Sequence, residues 1–217
     1  MSVTTGETGV ASTLGLIAAA YSAQFKEHGA CHTGVLWIDK SSQRRRFTEF
    51  LYLLDDKDPD AGFTVNDLGC GYGALFEFLA DEMPGAVSDY HGYDICPDMV
   101  TAAQMRISDS RARFALADAA DMCCDYSFAS GTFNMMAEAD TEVWTAYVKQ
   151  ALLELWEKSA RGLAFNLLGA DAVPTPQPWL YYTSREEFLD FCCSSLSPHV
   201  EWYHACDAPD YTILVRR

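Results

Sequence analysis

From Leu14 to Phe25 the apolar positions Leu16, Ile17, Ala20, Tyr21 and Phe25 recur at helical intervals, which predicts a first amphipathic helix. The Thr, Ser and Gly residues of Met1–Gly9 read as a frayed tail ahead of it. After a loop bounded by Gly29 and Gly34 comes the short apolar run Val35-Leu36-Trp37-Ile38. Ser41 or Ser42 can then cap a second helix with Phe47, Phe50, Leu51 and Leu54 on one face. Both helices precede the first strand and are expected to form a cap, with the acidic, turn-rich Asp55–Gly62 as a linker.

At Phe63 the pattern changes, and short apolar runs begin to alternate with helical periods. Strands are predicted at Phe63–Leu68, Tyr90–Ile95, Arg113–Leu116, Asp125–Ser130 and Gly162–Leu168. Between them helices run to about Glu82, over about Pro97–Ser108, and along the stripe Val143, Trp144, Tyr147, Val148, Ala151, Leu152, Leu155 and Trp156. That alternation predicts a parallel sheet with right-handed crossovers. The stripe is broad enough to read as core, and the unbroken Gly162–Leu168 run as a central strand covered on both faces. Pro174, Pro176 and Pro178 bar regular structure before Trp179, Tyr181 and Tyr182. Ser184 with Glu187 makes a capping box for a further helix. The closing strands, Val200–His204 and Tyr211–Val215, are joined by a connection short enough to permit only antiparallel pairing.

A chain of 217 residues, 49% hydrophobic and 21% charged, can bury a full core. Its formal charge of -16 changes the picture more, because such a surface repels DNA, RNA and anionic membranes. The basic run Arg44-Arg45-Arg46 is short, and helical geometry turns at least one of its arginines inward. A small-molecule substrate is therefore expected, with no nucleic acid and no membrane. No apolar run reaches the length of a membrane span, and Met1–Gly9 lacks the basic start of a secretory signal. Eight scattered cysteines in a chain with a large core fit a reducing cytoplasm. The vicinal pairs Cys123-Cys124 and Cys192-Cys193 are poorly placed to chelate one ion, and no metal is expected.

The chemistry gathers where the Phe63–Leu68 strand ends. Asn66-Asp67-Leu68-Gly69-Cys70-Gly71-Tyr72-Gly73-Ala74 reads as a glycine loop between strand and helix. Such glycines let the backbone turn sharply and let a ligand approach it closely, while the helix amides point at that ligand. Gly69-x-Gly71-x-x-Ala74 also fits the dinucleotide pattern. Asp67 argues the other way, because a carboxylate at the cradle repels a pyrophosphate and suits a cation. The stretch from Asp67 to Gly73 resembles the first motif of the class I S-adenosylmethionine (SAM)-dependent methyltransferases, an acidic residue followed by Leu-Gly-Cys-Gly-x-Gly. SAM carries an ammonium and a sulfonium. The resemblance implies an α/β, Rossmann-like, seven-stranded and mostly parallel sheet with its last strand antiparallel, helices on both faces and an N-terminal helical cap. Residues 1–62 would then be tail and cap, and 63–217 the SAM-binding core.

The resemblance also implies binding residues. Asp67, Gly69, Cys70 and Gly71 belong to the loop, and Asp94, with Ile95 beside it, stands where a carboxylate takes ribose hydroxyls, roughly 20 residues past the loop. Met99 packs on adenine or serves as core. Asp118, with Asp121 as the alternative register, accepts the adenine amino group, and the amide of Ala119 reads a ring nitrogen. Ser130 and Phe133 flank the sulfonium, while Asn134 orients an acceptor or begins the next helix. His28-Gly29, Trp37 and Ser42-Gln43-Arg44-Arg45-Arg46-Phe47 resemble the N-terminal pattern of small bacterial methyltransferases, one residue shorter, which leaves Arg45 or Arg46 as the matching arginine. Tyr21, Trp37 and Arg46 are accordingly expected at the cofactor, Arg46 pairing with the methionine carboxylate or else in a structural ion pair. Tyr181, Tyr182 and His28 are candidates to orient the acceptor or shield the cation. The activity implied is methyl transfer to a small molecule. Alternatives on the same fold are cyclisation of SAM to azetidine-2-carboxylate with release of methylthioadenosine, aminocarboxypropyl transfer, or SAM binding without turnover. NAD-dependent redox chemistry is disfavoured by Asp67.

Overall fold

The central strand β1, Phe63–Leu68, has nearly every side chain buried, as its apolar start predicts. The computed structural model describes residues 4–31, 40–54, 62–171, 175–204 and 209–217. To one side β1 pairs in parallel with β2 (Val87–Asp94), which pairs with β3 (Ala112–Leu116). To the other it pairs in parallel with β4 (Cys124–Ala129), followed by β5 (Ser159–Gly169). A two-residue β6, Tyr182–Thr183, adds in parallel to the end of β5. The sheet is completed by β7 (His199–Tyr203) and β8 (Asp210–Arg216), in the order β3-β2-β1-β4-β5-β8-β7, with β8 antiparallel to both neighbours. The short β6 is an addition to the seven strands expected. It forms beyond the prolines, where Leu180 also bridges to Met135.

The helices are α1 (Thr4–His28), α2 (Lys40–Leu51), α3 (Ala74–Glu82), α4 (Pro97–Arg106), α5 (Thr141–Glu157) and α6 (Arg185–Ser195). Two N-terminal expectations need correction. Helix α1 already begins at Thr4, inside the stretch read as a frayed tail. Its packing against α4 and α5 supplies a docked segment from which a helix propagates at low cost through weak formers. Helix α2 begins at Lys40, which puts Ser41 and Ser42 inside the helix and not at its cap.

Helix α2 is also a layer of the main fold. Its Phe47 and Phe50, with Leu53 and Leu54 of the 3-10 turn Tyr52–Leu54, share one core with Leu75 and Leu79 of α3 and with Val65, Phe128, Ala164 and Leu214 of the sheet. The Phe50 and Phe128 rings stack with centroids 5.2 Å apart. On the opposite face α5 and α6 cover Leu163, Phe165, Leu167, Ile213 and Val215 through Trp144, Leu152 and Phe188. Of the two helices read as a cap, α1 alone lies across the end of the sheet, with Ile17 reaching the second core. The Val35–Ile38 run and residues 55–61 of the linker lie outside the described residues.

Candidate active site

The strand order reverses direction between β1 and β4, since the chain builds outward to β3 and then returns to the other side. At such a switch point the loops leaving neighbouring strands diverge and open a crevice at the carboxyl ends. Here the crevice is roofed by Leu14, Ile17 and Tyr21 of α1 and has a volume of about 980 Å³, open solvent at its mouth included.

The glycine loop forms the floor. The amides of Gly69 and Cys70 both donate to the Tyr93 carbonyl, at 2.7 and 3.0 Å, curling the chain back over β2. Gly69 has φ 76°, and a Cβ there would stand 2.5 Å from Thr132 Oγ1. That hydroxyl donates to the Leu68 carbonyl at 2.6 Å and ties the loop after β4 to the end of β1. Gly73, with φ 85°, opens α3 with no side chain capping its first turn. Asp94 completes the loop: one carboxylate oxygen accepts from the Gly71 amide and the other from the Cys96 amide, each at 2.8 Å. Burial raises its pKa against the lowering effect of those amides.

Asp67 lines the crevice from inside the sheet, 2% exposed, and accepts a short hydrogen bond from the Tyr90 hydroxyl. Burial pushes its pKa up to about 7, the Tyr90 bond opposing and the charge of Asp94 adding to the rise. Cys70, Ile95, the buried Met99, Ser130 and Phe133 line the same space, as does Asp118 at its exposed rim. Asp121, the alternative register, instead accepts from the Tyr93 hydroxyl at 2.7 Å and does not line it. Ala119 is exposed beside Asp118 and is not part of the lining.

Other expected residues lie elsewhere. Arg46 is 4% exposed and forms a bidentate pair with Asp210 of β8, Nη2 to Oδ1 at 2.8 Å and Nε to Oδ2 shorter still. The sheet-facing side of α2 presents this arginine to β8, so the structure gives it the ion-pair role and withdraws it from the crevice. Tyr181 is corrected likewise. It is 1% exposed within the α5–α6 core, with its hydroxyl 2.8 Å from that of Thr145 and its ring against Phe188. Tyr182 belongs to β6, its hydroxyl accepting from the Gln177 amide at 3.3 Å, and Asn134 gives its carbonyl to the Tyr181 amide. None of these three lines the crevice, because β6 and the Met135–Leu180 bridge draw the segment down beside β5. His28 is exposed at the end of α1, and Trp37 lies outside the described residues.

Sequence reasoning missed Trp144 and Tyr147 of α5, which wall the crevice beside Phe133 although their stripe reads as core. Trp144 Nε1 donates to the Phe133 carbonyl at 3.1 Å, and its ring stands 4.9 Å from that of Tyr147. A tyrosine within an apolar stripe was the available signal, since its hydroxyl needs a polar outlet. Gln43 and Tyr72, joined by a hydrogen bond of 3.2 Å, also line the crevice.

A switch-point crevice floored by a glycine loop, with carboxylates at the ends of β1 and β2, defines the class I SAM-dependent methyltransferase architecture. Residues 65–173 match the family model described as a methyltransferase domain, and the chain belongs to that family. It is 40% identical over 159 residues to the provisionally named methyltransferase Rv1506c of Mycobacterium tuberculosis, covering 71% of this chain and 93% of that protein. Among solved structures it shares its fold with the magnesium protoporphyrin IX methyltransferase of Synechocystis PCC 6803 with bound SAM, at a TM-score of 0.61 and 16% identity over 82% of this chain and 80% of that one. A SAM-dependent methyltransferase from Mesorhizobium loti aligns at a TM-score of 0.56 and 15% identity, covering 78% of this chain and 97% of its own.

Proposed function

We propose that this chain transfers a methyl group from SAM to a small-molecule acceptor bound beneath α1. The observation that carries the reading is the charge of the crevice: Asp67, Asp94 and Asp118 face it, and among the described residues no lysine, arginine or histidine does. Such a site repels a pyrophosphate and attracts a cation.

The residues present fit the cofactor. Asp94, held by two amides, keeps lone pairs for ribose hydroxyls, and Ile95 and Met99 offer an apolar wall to adenine. Asp118 stands at the rim for the exocyclic amine, Asp67 and Tyr21 face the cationic arm, and Ser130 and Phe133 flank the sulfur. When bound, SAM supplies a methyl activated by a positively charged sulfur. The chain contributes position and exclusion of water, which can account for roughly 7 to 11 kcal/mol of such a displacement. Tyr147 does not act as a base, for burial, with Asp118 and Glu154 adding, pushes its pKa up to about 12 and keeps the phenol protonated at neutral pH. The aromatic wall of Phe133, Trp144 and Tyr147 suits a compact, partly apolar acceptor, and the charge of -16 disfavours a nucleic acid. We take α1 as the true cap and, from the cysteine pattern, the cytoplasm as the compartment.

Mass spectrometry of protein incubated with SAM alone tests the reading. Bound SAM or S-adenosylhomocysteine without turnover is expected; steady release of methylthioadenosine would replace methyl transfer with cyclisation, and absence of binding would remove the cofactor.

A pH dependence follows from Asp67. Burial favours its protonated form up to about pH 7, whereas a bound cation favours the carboxylate. SAM binding should therefore expel a proton and tighten as pH rises through 7. The free protein behaves oppositely, losing stability from the ordinary carboxylate range up to about 7, because the unfolded chain releases that proton earlier. Calorimetric titration of wild type and Asp67→Asn at about pH 6 to 8 separates this from titration of the SAM amine, which both proteins share. A wild-type profile that coincides with the variant's would exclude the coupling.

A further inference from the structure

SAM ends in a carboxylate, and a buried carboxylate without a partner is costly. The crevice supplies that group no cationic side chain among its described lining residues, and Arg46 lies outside it, paired with Asp210. On the side facing α2 and the first turn of α3, however, stand Gln43 and Tyr72, 8% and 6% exposed. The Tyr72 hydroxyl donates to Gln43 Oε1 at 3.2 Å, so the amide's acceptor is occupied and its two N–H donors remain. Among the described residues those donors make no hydrogen bond. Beside them Ala74 and Leu75 open α3, whose first-turn amides no side chain caps. A helix N-terminus with free amides carries a partial positive charge.

We propose that Gln43, oriented by Tyr72, and the uncapped first turn of α3 form a charge-neutral seat for the cofactor's carboxylate, so that the amino-acid arm is held by amide donors and not by a salt bridge. The inference rests on SAM being the cofactor. It makes α2, a helix of the sheet's own layer, a cofactor-binding element. Tyr72 is the positioning residue: its ring lies 5.4 Å beneath the Arg106 guanidinium, which is itself paired with Glu77, and this fixes the hydroxyl that turns the amide. Neutral donors let the arm settle among three carboxylates without a fixed cation that would form an ion pair with them in the empty site.

The test is calorimetric binding of four ligands, SAM, S-adenosylhomocysteine, decarboxylated SAM and methylthioadenosine, to wild type, Gln43→Leu and Tyr72→Phe. Losing a hydrogen bond to a charged group corresponds to about 10- to 100-fold in affinity. Gln43→Leu is expected to lose that factor for the two ligands that carry the carboxylate while binding the other two within about twofold of wild type. Tyr72→Phe, which keeps the ring and removes the hydroxyl, should show the same selectivity with a loss of about 3- to 10-fold. Equal losses for all four ligands, or unchanged SAM affinity in Gln43→Leu, would overturn the seat. Wild type that binds methylthioadenosine but shows no gain from the carboxylate would overturn the seat alone, and wild type that binds none of the four would overturn the cofactor reading with it.

Discussion

Asp94→Ala should lower affinity for SAM by about 100-fold or more, the largest loss expected from any single change in the crevice. The carboxylate has two jobs that share the same oxygens. It accepts from the amides of Gly71 and Cys96, which holds the glycine loop against the start of α4, and its remaining lone pairs face the crevice where ribose hydroxyls are proposed to lie. Alanine removes both, leaving two amides to find water and the ribose without an acceptor. Asp94→Asn keeps one acceptor oxygen and should fall between, at about 10-fold. Because the aspartate's burial raises its pKa, the charge is held at a cost in the free protein, and neither variant should melt far below wild type. Binding measured by calorimetry, with a melting curve for each variant, decides the matter. Wild-type affinity in Asp94→Ala would remove this residue from the cofactor site.

The second large effect is on stability. Arg46→Met alone should destabilise the fold by about 3 to 5 kcal/mol, because it strands the Asp210 carboxylate, 4% exposed, without its partner. For a chain of this size that is a fall in melting temperature of about 6 to 20 °C. The double variant Arg46→Met/Asp210→Leu should recover most of the loss, since an apolar pair fills the same space without two buried charges. Its affinity for SAM should stay within about threefold of wild type. If Arg46 held the methionine carboxylate, the double variant would be stable yet bind SAM poorly, so melting and titration together separate the two roles. Burial lowers the arginine's pKa while Asp210 raises it, and this opposition is why the pair stands or falls as a unit.

The strands were readable because their information is local. Phe63–Leu68 was found residue for residue, and the helix after it ends at Glu82 as expected, for an apolar run, a glycine loop and an amphipathic helix each announce themselves within a few residues. The antiparallel ending was equally readable, from the shortness of the connection before Asp210. In the site, the residues that share a loop or a strand end with the glycine motif line the crevice as expected: Asp67, Gly69, Cys70, Gly71 and Asp94, then Ile95, Met99, Asp118, Ser130 and Phe133. Each lies at the end of a strand or in the loop or first helical turn that follows it, as Met99 does in α4, and the topology of parallel sheets brings those ends together.

Residues on helices and beyond the prolines were not readable in the same way. Tyr181 and Tyr182 had aromatic chemistry and lay in an irregular segment, yet two residues of strand pairing, β6 on β5, pull that segment away from the crevice. Arg46 and Gln43 lie three residues apart on one helix and both are buried, but only packing decides that one meets Asp210 and the other the crevice. Likewise a single stripe on α5 is core along its length, and at Trp144 and Tyr147 it also walls the crevice. The sequence by itself thus determined the class of fold, the glycine loop and the acidic residues at its strand ends, since these depend on backbone conformation and short-range periodicity. The tertiary structure alone decided which inward-facing side chains reach the ligand and which pair with the sheet, because that choice turns on where each helix crosses a strand far from it in sequence.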